Sequence, residues 1–168
     1  MLERFNTNPT QLTGLLSFAV STIACFIASR RSETGDVRAW RSLTLINGLF
    51  FFEILIGLRF YIHDRVNFIL IAKGWYLQRS WIQESIDISL AAIALVFVVL
   101  FMFLRRPTGN EARIATGLTI ALVALFAVET VSLHAIDSVL YQPIGPVLLV
   151  GWIWAIGSFG ICLSAAQR

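Results

Sequence analysis

Charge is scarce in this chain. Of its 168 residues only 14% are Asp, Glu, Lys or Arg, against roughly 25% in soluble domains. There are two cysteines and no CxxC, so a thiol oxidoreductase has no motif to rest on. Cys25 and Cys162 are expected as buried packing thiols. Two histidines, without HExxH, leave no ready-made zinc motif. GxSxG, P-loop and GxGxxG patterns are missing, so hydrolase and nucleotide-binding readings lack support. The basic residues are spread between apolar runs rather than gathered in a patch, which excludes a nucleic-acid surface despite the net charge of +3.

What is abundant is apolar surface. Hydrophobic residues make up 57% of the chain and the mean hydropathy is +0.77. A soluble domain of this size has too little interior to hide so much of it. A bilayer core about 30 Å thick needs about 20 apolar residues per helix. Five windows qualify: 11–29, 42–62, 85–104, 114–136 and 143–166. None alternates in polarity as a barrel strand would, and a helix satisfies its own backbone in lipid. The sequence therefore predicts an all-α integral membrane bundle of five transmembrane helices, forming a single transmembrane domain over 1–168. Its partners are the lipid bilayer and, on the accessory reading below, other membrane subunits.

The first window is expected as an uncleaved helix. Its n-region is weakly basic, and Arg30 and Arg31 follow the apolar run at once. Eight basic residues fall on the side holding Arg30, Arg31, Arg38, Arg41, Arg105, Arg106, Arg113 and Arg168. Four fall opposite: Arg4, Arg65, Lys73 and Arg79. The richer side is cytoplasmic. This puts the N-terminus outside and the C-terminus inside a bacterial-type cytoplasmic (inner) membrane.

The long second loop is not polar. It carries Phe68, Ile69, Leu70, Ile71, Trp75, Tyr76 and Trp81, with Gly74 in the middle. Trp and Tyr favour the headgroup level, so an interfacial helical segment is expected around 66–82. It either anchors the bundle or covers a site. By contrast, Arg38 and Arg41, and the arginines of the Arg105–Arg113 turn, suit anionic headgroups on the inner face.

Ionisable groups at membrane depth are costly and tend to mark function. Glu53 is expected near the midplane, with Glu129 about 6 Å, Arg59 about 10 Å, Asp87 about 11 Å and His134 about 13 Å outward. His63, Asp64, Glu84 and Asp137 come still further out. The first and fifth windows contribute none of these, so the second, third and fourth should face one another there, and the first and fifth should pack behind them or face lipid. Arg59 and Asp87 match in depth and opposite charge, which predicts an intramembrane ion pair. Arg59 cannot neutralise both Glu53 and Glu129, which makes them candidates for a proton relay.

His63 and His134 also match in depth. With Glu84, Asp87, Glu129 and Asp137 they form a candidate transition-metal site, since imidazole plus carboxylate suits Zn, Fe, Cu or Mn. A single bis-histidine haem is a further option, and ordinary headgroup histidines the plainest one. Three functions stay open. One is an accessory or assembly subunit of a membrane complex. The second is a metal-binding, possibly redox, protein or enzyme using His63 and His134. The last is a proton-coupled transporter or channel using Glu53 and Glu129. No residue pattern decides whether the chain is an enzyme.

Overall fold

In the computed structural model, residues 8–32, 34–57, 107–131 and 138–168 are described, with isolated positions between 65 and 99. Four long helices dominate: α1 (Pro9–Arg31), α2 (Thr34–Ile56), α3 (Asn110–Val131) and α4 (Leu149–Ala166). Among the described residues these four are long and apolar enough to cross a bilayer, which marks the chain as an all-α membrane protein. In the third sequence window, the described positions 85, 88, 89, 92, 95, 96, 98 and 99 are helical. Of these, Leu95 and Val98 pack against the core.

The helices start and stop for identifiable reasons. At the head of α1, Pro9 occupies the first turn, where no amide donor is missed. Asn8 Oδ1 accepts from the Gln11 backbone N–H at 2.7 Å. Helix α2 begins eight residues before the expected 42, so Arg38 and Arg41 lie in its first turns, exposed, beside a fully buried Trp40. It ends at Ile56 rather than 62. Gly57 takes φ 66° and its N–H bonds the Glu53 carbonyl at 2.7 Å, a left-handed cap inside an apolar run. Helix α3 likewise starts four residues before the expected 114. The end expected at 136 falls outside the described residues.

The fifth window needs a larger correction. It was expected to be helical from 143, but Pro143–Ile144 (β1) and Val147–Leu148 (β2) form a tiny antiparallel hairpin, and α4 begins only at Leu149. Gly145, at φ 67°, takes the left-handed first position of the two-residue turn. Pro146 fills the second, and two prolines so close are poor helix material.

Register follows from the contacts. Helices α1 and α2 run antiparallel, with Gln11 beside Ile54 and Ser21 beside Asn47. Helices α3 and α4 also oppose each other. A Cβ on Gly157 would sit 3.0 Å from Leu122, and one on Gly160 2.7 Å from Leu118, so the leucines of α3 use the glycine side of α4 as a groove. At the centre all four helices meet through rings. Phe50 and Phe126 stack at 4.5 Å, Phe126 and Trp154 at 5.5 Å, and Phe18 touches all three. Thus α1 and α4 share the centre with α2 and α3. The expectation that the first and fifth windows pack behind the rest is not what these rings describe.

The opposite faces are apolar and exposed. On α1 they carry Leu12, Leu16, Val20, Ile23 and Ile27, and on α2 Leu45, Leu49, Phe52 and Ile56. Such stripes suit contact with lipid chains.

Candidate functional site

Two polar centres cap the bundle at its two ends. One end holds Arg31, Thr34, Asn110 and Ala166. There Asp36, in the first turn of α2, is buried and surrounded by donors. Its Oδ1 accepts from the Thr108 N–H and hydroxyl, both at 2.7 Å, and the Gly109 N–H reaches both carboxylate oxygens at 3.2 Å. Arg168 Nη2 donates to Oδ2 at 2.5 Å and lies 3.3 Å from Glu111 Oε2. One carboxylate thus binds the open amides at the start of α3, where a helix favours negative charge, and ties them to α2 and to Arg168, two residues beyond α4. Gly109 is required by this approach. A Cβ there would fall on the Arg168 guanidinium and 2.6 Å from Asp36 Oδ2.

The other end holds Pro9, Ile56, Val131 and Leu149. Gln11 Nε2 donates to the Ile54 carbonyl at 3.1 Å, in the last turn of α2 where carbonyls lack helical partners. Thr10 Oγ1 accepts from the Leu148 N–H at 2.9 Å, fastening the hairpin to α1. Glu53 and Glu129 lie near this end. Each follows its stacked phenylalanine, Phe50 or Phe126, by three residues, so both carboxyls come one turn beyond the ring stack on helices of equal direction. Glu129 is buried and Glu53 half-buried. Measured along its own helix, each sits about 12–13 Å from the midpoint. The two glutamates thus lie at similar heights, each toward this end of its own helix.

Between the two ends lies a fully buried polar contact. Ser21 Oγ donates to Asn47 Oδ1 at 3.0 Å, and Asn47 Nδ2 donates to the Leu43 carbonyl at 2.9 Å. A hydrogen bond between helices is the usual polar glue of membrane bundles.

Of the candidate metal ligands only Glu129 is described; His63, Glu84, Asp87, His134 and Asp137 fall outside the described residues, as does Arg59 of the expected ion pair. Among the described residues no three His, Cys, Asp or Glu side chains are grouped as a metal site. The buried ion pair that is described joins Asp36 to Arg168, a pairing the sequence reading missed. The available signal was local: an acidic residue in a helix's first turn, and a Pro-Thr-Gly turn offering amides before another helix. In the second loop, the described positions 65, 68, 71 and 72 are helical and exposed, including Phe68 and Ile71. Helix at these positions agrees with the helical part of the segment expected around 66–82.

Comparison with protein-family models, with curated proteins and with solved structures gave no match.

Proposed function

We propose that this chain is an accessory or assembly subunit of a membrane complex, with five transmembrane helices. The N-terminus would lie outside and the Asp36 end would face the cytoplasm of a bacterial-type inner membrane. The observation that carries this reading is the closed centre. Phe18, Phe50, Phe126 and Trp154 fill the cross-section where the four described helices meet. Polar side chains on either side of them tie the helices together, at Ser21–Asn47 and Gln11–Ile54, and Asp36–Arg168 does so at one end. A bundle organised this way offers lipid and neighbouring subunits its apolar stripes. Native-gel separation of gently solubilised membranes, with the chain tagged, tests this. A defined larger species containing a stoichiometric partner is expected. Migration as the single chain alone would reject the reading.

A second reading is favoured by one observation, the matched level of Glu53 and Glu129 beyond the Phe50–Phe126 stack. In this reading the two carboxyls bind a proton or small cation from the outer side. Proteoliposomes under a proton gradient would then show flux that falls at least tenfold in Glu53→Gln and in Glu129→Gln. Flux indistinguishable from that of empty liposomes would leave the accessory reading in place.

A further inference from the structure

We infer that the middle of the bundle holds internal water, bound in a polar layer directly beneath the aromatic one. Four rings fill the cross-section at the level of Phe18, Phe50, Phe126 and Trp154. One turn toward the Asp36 end the sequence supplies Ser21 on α1, Asn47 on α2 and Ser158 on α4, three or four residues from the rings of their own helices. Thr119 on α3 follows one turn further. Their exposures are 0%, 0%, 2% and 0%. Short polar side chains thus occupy the interior of the bundle on the Asp36 side of the large rings, with Ser21 and Asn47 in contact.

Two of these hydroxyls are unusual. Serine and threonine in a membrane helix ordinarily donate to the carbonyl one turn back. Here Thr22, Ser42, Thr44, Thr116 and Ser164 all do, at 2.6–3.0 Å. Ser158 Oγ and Thr119 Oγ1 are buried and have no hydrogen-bond partner among the described residues. A buried hydroxyl without a partner forfeits its solvation with no return, and lipid offers no substitute. Nearby capacity is unspent. Asn47 Nδ2 carries two hydrogens, of which the Leu43 carbonyl takes one. Ser21 Oγ donates to Asn47 and keeps its lone pairs. A water at this level accepts from the Ser158 hydroxyl and from Asn47 Nδ2 and donates to Ser21 Oγ. Those three bonds are the usual complement of a buried water. Thr119 extends the layer toward the Asp36 end.

Water-to-protein polarisation transfer in solid-state NMR, on the intact protein in lipid nanodiscs, tests this. Transfer from water protons to the amides of Ser158 and Thr119 is expected, although both lie deep in the bundle. Absence of transfer at both would overturn the inference whatever any variant does. Ser158→Ala gives an independent reading through its sign. With water bound, the variant loses the transfer and its unfolding midpoint falls by about 2–4 °C. With a dry, unpartnered hydroxyl, removing it leaves the midpoint unchanged or raises it, and that result also overturns the inference.

Discussion

Asp36 concentrates more connections than any other side chain described, and its energetics are set by what is left behind when it goes. Removing the carboxylate takes away the acceptor of the Thr108 and Gly109 amides and leaves Arg168 with Glu111 alone. These donors are partly open to solvent, so each loss falls at or below the low end of the roughly 1–3 kcal/mol of a buried abandoned group, and the losses do not add simply. Asp36→Ala is therefore expected to lower the stability in detergent micelles by about 1–2 kcal/mol, read by denaturant unfolding. Arg168→Ala should cost less, because Thr108 and Gly109 still satisfy the carboxylate. The pair's double-mutant cycle should show coupling; additive losses would mean that the contact does not form. Gly109→Ala should weaken the same site without removing any donor, since its Cβ would fall between Arg168 and Asp36. Little of this was legible beforehand. Asp36 and Arg168 are 132 positions apart, and neither lies in a hydrophobic window, so a search for charges at membrane depth passed over both. Glu53 and Glu129 were found by that search, because a carboxyl inside an apolar run stands out without any knowledge of the fold.

Elements were legible in existence and much less so at their ends. Hydropathy finds a membrane helix because about 20 apolar residues have no other use in lipid. It does not see a cap that is itself apolar in context. The run Leu55-Ile56-Gly57-Leu58 reads as continuous, yet Gly57 at φ 66° ends α2. A side chain there meets the left-handed penalty, so Gly57→Ala is expected to cost about 1–2 kcal/mol, measurable as a lower thermal midpoint. The hairpin before α4 was more readable than the window allowed, since Pro143, Gly145 and Pro146 are turn residues inside a nominally helical stretch. Close helix approach leaves its own signature. A Cβ on Gly14 would lie 2.8 Å from both Ile54 Cδ1 and the Trp154 ring. The isoleucine tip can swing aside, whereas the ring is held by Phe18 and Phe126. Gly14→Leu should therefore push α1 away from α4 and cost about 1–3 kcal/mol through overpacking. A shifted and broadened Trp154 emission, followed in a background where the other tryptophans are replaced by phenylalanine, reads that displacement.

At the scale of the whole molecule the question is what holds four apolar helices together in a solvent as apolar as they are. Lipid removes most of the hydrophobic drive between helices and leaves packing and hydrogen bonds. The bundle meets that with a ring layer at its centre and polar ties on either side of it. The sequence-based expectation that charge alone would sort the helices, pushing the first and fifth to the outside, counted only the ties. Uncharged aromatic contacts were left out, and these bring α1 and α4 to the centre. Their weight can be measured by position. Phe18 is fully buried and touches Phe50, Phe126 and Trp154. Phe52 is 54% exposed and its described ring contact is with its neighbour Phe51. The two residues have the same side chain in the same kind of helix, so transfer to lipid is nearly the same for both when the bundle comes apart. Phe18→Ala should therefore lose about 3 kcal/mol through its ring contacts and the space left among them, while Phe52→Ala should lose about 1 kcal/mol or less. Steric trapping or denaturant unfolding in bicelles gives both numbers on one scale. Equal losses would mean that the ring layer contributes no more than any lipid-facing phenylalanine, and the cohesion of the bundle would then rest on its polar ties alone.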